Sequence, residues 1–155
     1  YFANGVALSS DESFVLVNET FRGRISRVWL RGPKKGSQEV FAEGLPGYPD
    51  GVAGDGRGNF YVAMGSITNP LGALVAPRPW TRRLISRLPE ALWPKAIRYG
   101  LVMVFDEEGG VVETLHDPEA TTVFEVTSAQ PSFKGLLLGN LHDDAFYVLK
   151  LERGE

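Results

Sequence analysis

Asn4-Gly-Val-Ala-Leu-Ser-Ser-Asp-Glu-Ser-Phe-Val-Leu-Val-Asn-Glu19 returns as Asp50-Gly-Val-Ala-Gly-Asp-Gly-Arg-Gly-Asn-Phe-Tyr-Val-Ala-Met-Gly65, every residue displaced by 46 positions. Each copy reads as a short apolar strand, a polar turn (Ser10 to Ser13, then Asp55 to Asn59) and a second strand rich in Val, Phe or Tyr. Between the copies, Arg24 to Leu30 and Glu39 to Ala42 supply two more strand-like runs, separated by the turn Gly32-Pro-Lys-Lys-Gly36. Four strands in about 45 residues is the period of a propeller blade. A third, weaker copy starts near Glu125 and continues through Gly135-Leu-Leu-Leu-Gly-Asn140 and Ala145 to Leu151. The fold class is therefore all-β, with about three blades in 155 residues. Propellers close with about four to eight blades, and half a ring leaves open strand edges, so further blades upstream are expected.

The stretch Ser66 to Tyr99 interrupts the pattern, with prolines at 70, 77, 79, 89 and 94. Short helices fit it better than strands: Leu84, Ile85 and Leu88 fall on one face of Trp80 to Leu88, and Ala91 to Ile97 forms a second apolar run. The whole chain, 1–155, thus reads as one partial propeller with a helical insertion at 66–99. Within 78–98, Arg78, Arg82, Arg83, Arg87, Lys95 and Arg98 outnumber the single acid Glu90 and alternate with Trp80 and Trp93. That composition suits a lid over the propeller mouth, and it also suits contact with an anionic membrane surface. Beyond it, Leu101 to Phe105, the turn Asp106 to Gly110, and Val111 to Leu115 make a hairpin.

Apolar residues make up 43% of the chain, enough for a packed core, and the formal net charge is −3. No basic stripe points to nucleic acid. The absence of cysteine excludes thiolate chemistry, zinc-thiolate sites and disulfides within these residues. The opening residues Tyr1 to Val6 lack the pattern of a signal peptide, and no run reaches the roughly 20 apolar residues of a membrane-spanning helix. Compartment stays open.

Asn4, Asp50 and Glu125 hold the same place in successive repeats, just ahead of the first apolar strand of each. In radially arranged blades, equivalent positions on the innermost strands converge on the axis, bringing three oxygen-bearing side chains to one mouth of the channel. Such oxygens suit a hard cation such as Ca²⁺. The plainer alternative is that Asx before Gly makes a turn. Of the histidines, His116 reads as a turn residue satisfied by backbone and His142 as a solvated residue beside Asp143-Asp144. Glu19 suits a surface or channel-rim position. No Gly-x-Ser-x-Gly nucleophile elbow occurs.

Phe2-Ala-Asn-Gly-Val-Ala-Leu-Ser9, Ser13-Phe-Val-Leu-Val-Asn-Glu-Thr20, Arg24-Ile-Ser-Arg-Val-Trp-Leu30, Gly32-Pro-Lys-Lys-Gly36 and Leu45-Pro-Gly-Tyr-Pro-Asp50 together resemble the strictosidine synthase-like family. Arg78-Pro-Trp80 and Leu115-His-Asp-Pro118 look closer to its adipocyte plasma membrane-associated protein branch. The resemblance implies the C-terminal half of a six-bladed propeller related to gluconolactonases and paraoxonases, with Asn4 and Asp50 as calcium ligands and the other ligands on earlier blades. Paraoxonases follow that Asp with a ligating Asn, where this sequence has Gly51. Glu125 matches the catalytic glutamate of strictosidine synthase, although the His that precedes its Phe-Glu pair is Val123 here. The resulting expectation is a calcium-dependent esterase or lactonase acting on a small-molecule ester or lactone. The alternatives are an amine and aldehyde condensation with Glu125 as the acid-base group, or a non-catalytic, membrane-associated binding propeller.

Overall fold

The computed structural model describes residues 2–68, 80, 83, 84, 87, 89 and 97–151. Within them, eleven strands form three antiparallel sheets. The first holds β1 (Ala3–Leu8), β2 (Phe14–Glu19), β3 (Arg24–Trp29) and β4 (Gln38–Ala42) in sequential order. The second holds β5 (Gly47–Gly54), β6 (Phe60–Ile67), β7 (Gly100–Phe105) and β8 (Val111–Asp117), again in order. The third is three-stranded, β9 (Val126–Ser132), β10 (Gly135–Asn140) and β11 (Tyr147–Leu149). These are three consecutive blades of a β-propeller, as the 46-residue repeat predicts.

Local chemistry accounts for the hairpins. Asp11, Asp55 and Asp106 each turn a carboxylate oxygen back onto the backbone N–H two residues on, at 2.8 Å (Ser13), 2.7 Å (Arg57) and 3.1 Å (Glu108). These Asx turns close the β1–β2, β5–β6 and β7–β8 connections. The excursion between β6 and β7 is pinched at its base by an antiparallel bridge from Ile67 to Ile97. Ser66 and Ile67 belong to β6, so the insertion begins later than position 66. Trp80, Arg83 and Leu84 have helical backbone. The remainder of the expected helices, and most of the basic stretch 78–98, lie outside the described residues.

Period-2 alternation decides which side chains fill the gaps between blades. Phe14 and Leu16 of β2, Ile25 of β3 and Phe41 of β4 pack against Phe60, Val62 and Met64 of β6 and against Leu101, Met103 and Phe105 of β7. The guanidinium of Arg27 lies over the rings of Phe14 and Phe41, 4.6 and 4.8 Å from their centroids. The opposite face of the second blade sends Ala63 and Val102 into a second cluster with Val126, Ala129, Leu136 and Leu138. Strand β7 is buried along its whole length because it feeds both cores.

The innermost strands lie side by side with unusually close backbones. A Cβ on Gly5 would sit 2.4 Å from the Asp50 carbonyl oxygen and 2.6 Å from the Val52 nitrogen. A Cβ on Gly51 would sit 2.5 Å from the Thr127 carbonyl oxygen. Farther along, a Cβ on Gly54 would sit 3.5 Å from the Leu8 carbonyl oxygen. Residues 5 and 51, and 8 and 54, are therefore neighbours: strands β1 and β5 run parallel in the register of the sequence repeat.

Gly51→Ala must push two blades apart and is expected to lower unfolding free energy by about 1–3 kcal/mol. Gly54→Ala, which meets only ordinary van der Waals contacts, should stay within about 0.5 kcal/mol of the parent. Urea denaturation of both variants makes the comparison, and equal losses would refute the close-approach explanation.

Candidate functional site

Equivalent β-bulges present the first two predicted site residues. Ala3 pairs with Glu19 and Val6 with Val17, so Asn4 and Gly5 together face Asn18. Pro49 pairs with Met64 and Val52 with Val62, so Asp50 and Gly51 together face Ala63. A bulge of this kind inserts one residue, bends the strand and re-aims a side chain. Both residues lie within strands rather than ahead of them, because β1 begins at Ala3 and β5 at Gly47. Side-by-side packing brings the pair together: the Asn4 side chain hydrogen-bonds the Asp50 carboxylate. Asp50 Oδ2 lies over Gly65, where a Cβ would come within 3.3 Å.

Sequence reasoning passed over a third residue of this cluster. Asn18 is fully buried; its Nδ2 donates to the Asp50 carbonyl oxygen at 2.7 Å, while its Oδ1 has no hydrogen-bonding partner. One residue nearer the chain start on β5, the Pro49 carbonyl accepts from Thr20 Oγ1 at 2.8 Å. Side chains of the first blade thus satisfy carbonyls on the edge strand of the second. The signal for Asn18 was present in the alternation Phe14, Leu16, Asn18: an amide stands at the core-facing position where the second copy has Met64. An orphaned amide oxygen, a neighbouring amide and a half-buried carboxylate form a donor set suited to a hard cation. Among the described residues, no three His, Cys, Asp or Glu side chains cluster to hold a metal.

Glu125 stands immediately ahead of β9 with φ of +48°, buried to 6% exposure, its N–H donating to the Tyr99 carbonyl at 3.2 Å. Its carboxylate Oε2 is 2.5 Å from Nε2 of His142. His142 is exposed, as its sequence context suggests, but it is also partnered by Glu125. Its ring also stacks on Phe124, with centroids 6.2 Å apart and planes at 24°. His116 departs from expectation: it lies on β8, and its Nδ1 is 3.0 Å from the Tyr99 hydroxyl. The neighbouring Asp117 receives the N–H groups of Thr122 and Val123 at 2.7 and 2.9 Å. These bonds, Val123's first, hold its carboxyl below the usual range and fix the turn that leads to Glu125. Glu19 is an anchor on the first blade. Burial alone would raise its proton affinity, but hydrogen bonds from Ser26 (2.5 Å) and Arg24 (2.8 Å), with the charges of Arg24 and Arg22, hold its carboxyl low.

Burial pushes the Asp50 carboxyl upward, and the Asn4 hydrogen bond only partly opposes this. An acid whose folded value lies above its unfolded one destabilises the fold as pH rises through that interval. In calcium-free buffer, Asp50→Asn is therefore expected to match or exceed the parent in thermal stability at pH 7 and to lose that advantage toward pH 4. A variant less stable at pH 7 but not at pH 4 would reverse the sign.

A family model for strictosidine synthase matches residues 1–33. Protein STRICTOSIDINE SYNTHASE-LIKE 10 of Arabidopsis thaliana is 38% identical over 146 residues, covering 90% of this chain and 39% of the relative. The human adipocyte plasma membrane-associated protein is 34% identical over 157 residues, covering 97% of this chain and 38% of its own length. The chain thus spans about two fifths of these relatives. Among solved structures, a gluconolactonase from Xanthomonas campestris superposes with a TM-score of 0.54 at 20% identity, over 89% of this chain and 34% of that one. The calcium-binding protein regucalcin from Agrobacterium tumefaciens gives 0.55 at 19% identity, over 92% and 40%. These last two likenesses bear on the fold, whereas the sequence identity carried along nearly every residue bears on descent, and by it the chain belongs to the strictosidine synthase-like family.

Proposed function

We propose that this protein is a calcium-dependent lactonase or arylesterase whose cation is held in part by Asn4, Asp50 and Asn18, with Glu125 as the acid-base group. The observation that carries this reading is the buried Asn18 Oδ1, which lacks a partner beside the Asp50 backbone that its own amide grips. An unsatisfied amide oxygen in a protein interior costs about 1–3 kcal/mol. A bound cation would relieve that penalty and would neutralise the carboxylate that burial disfavours. Two structures of the same fold support the choice of chemistry, one a gluconolactonase and the other a calcium-binding protein.

Bound there, calcium would polarise the ester carbonyl as a Lewis acid. The chain's own residues do the remainder. Asn4 and Asn18 orient the Asp50 carboxylate and backbone, and Gly5 and Gly51 let the two bulges approach. Glu125, shielded from water, takes a proton from the attacking water and returns it to the departing alkoxide. Gly51 offers no side-chain oxygen, so further ligands must come from elsewhere in the intact protein.

A second reading, amine and aldehyde condensation with Glu125 as the acid-base group, draws support from the family model over residues 1–33. Chelation separates the two. With the intact protein, hydrolysis of aryl esters and lactones is expected to require calcium, and Asp50→Ala should lose at least about a hundredfold in kcat/KM at saturating calcium. By calorimetry, Asn18→Leu should bind calcium roughly tenfold or more weakly. Turnover indifferent to chelator and to Asp50→Ala would overturn the hydrolase. Failure on esters, lactones and amine-aldehyde pairs alike would leave a binding propeller.

A further inference from the structure

The contact between Glu125 and His142 bridges two segments: the residue ahead of the inner strand β9, and the loop after β10. Three features hold His142 in place. The Asn140 carboxamide oxygen accepts the N–H groups of His142 and Asp143 at 3.0 and 2.6 Å. The imidazole lies against the Phe124 ring, which also carries the Arg98 guanidinium 3.8 Å from its centroid. The next residue, Asp143, accepts the Tyr147 hydroxyl at 2.7 Å, which ties the loop to β11, and the carboxylate in contact with the His142 ring is that of Glu125.

Glu125 is constrained from its own side as well. Its φ of +48° is one that residues bearing a side chain rarely adopt, and such conformations persist where the surroundings over-determine them. The surroundings here are the Tyr99 carbonyl, which takes the Glu125 N–H, and the Asp117 carboxylate, which fixes Thr121 to Val123. The side chains differ sharply in solvent access, at 8% for Glu125 and 57% for His142. A half-exposed imidazole thus covers one oxygen of a buried carboxylate.

We infer that His142 is the positioning residue of Glu125: it donates its Nε2–H to Oε2, fixes the plane of the carboxylate and leaves Oε1 as the only oxygen free to exchange a proton with a reactant. This rests on the reading of Glu125 as an acid-base group given above. A carboxylate can only accept, so the shared hydrogen belongs to the imidazole. In the hydrolytic cycle, the proton leaves the attacking water for Oε1 and passes from Oε1 to the departing alkoxide. The carboxylate is then regenerated, and the Nε2–H is never transferred. Free rotation about the terminal torsion would otherwise divide Glu125 between productive and unproductive orientations.

The test uses the intact protein with Glu125→Gln, Glu125→Ala, His142→Asn and His142→Gln, the last retaining an amide N–H at about the reach of Nε2. His142→Asn is expected to lower kcat about ten- to hundredfold with KM within twofold and thermal unfolding unchanged, and His142→Gln to recover much of that loss. The ¹⁵N shifts of the His142 ring in the parent should report a single Nε2–H tautomer, which becomes mixed in Glu125→Ala, where no side-chain acceptor remains. Full kcat in His142→Asn, with Glu125→Gln inactive, would overturn the positioning role and leave the acid-base role standing. Full activity in Glu125→Gln would overturn the acid-base role itself, and with it the inference. A tautomer insensitive to Glu125→Ala would show that the pair does not form in solution.

Discussion

The lateral packing of the innermost strands is the constraint on which the other features depend. Gly5 approaches the Asp50–Val52 backbone and Gly51 approaches Thr127 at distances that no side-chain carbon could share. Two sheets brought that close must satisfy each other's edge groups. Asn18 and Thr20 do so, donating to the carbonyls of Asp50 and Pro49. Farther from the axis the blades diverge, and the widening gaps are filled by large side chains: Phe14, Phe41, Phe60 and Phe105 in the first, Leu136 and Leu138 in the second.

Architecture and candidate chemistry are joined at the same atoms. The bulges that let Asn4-Gly5 and Asp50-Gly51 nest against neighbouring blades also gather oxygen atoms at one end of the inner strands. An Asp-Gly or Asn-Gly step is well suited to this double duty, since glycine permits the approach and the bulge re-aims the polar side chain of the residue before it. The third inner strand departs from the scheme. Its counterpart of Gly5 and Gly51 is Val126, buried in the core between the second and third blades. The bulge there falls at Thr127, and the preceding carboxylate of Glu125 is turned to His142 instead. That divergence gives the third repeat a role unlike the first two.

Outer elements support the inner ones through short polar links. The Leu115-His-Asp-Pro118 motif is a case in point: Asp117 closes the strand β8 and captures three successive N–H groups from Thr121 to Val123. The backbone is thereby delivered to Phe124 and Glu125 in a fixed conformation. Its neighbour His116 is tied to Tyr99, whose carbonyl receives the Glu125 N–H. An apparently peripheral turn motif thus holds the approach to a buried acid.

The repeat alone determined the architecture, because strands, Asx turns and alternation are local properties that recur visibly at a fixed period. The strands Arg24–Trp29, Gln38–Ala42, Gly100–Phe105 and Gly135–Asn140 lie within a residue or so of where their composition places them. Equivalence by repeat also anticipated that Asn4 and Asp50 would be neighbours. The partners of side chains were decided only by tertiary structure. Asn18 looks like an ordinary strand residue until packing buries it and removes the water that would have satisfied its oxygen. His142 looks like a surface residue without a partner, and only the β10–β11 loop sets its exposed ring over Glu125. Both depend on contacts between segments that no local pattern links, since hydrogen-bond partners between blades are chosen by how the backbones pack and not by residue type at either end.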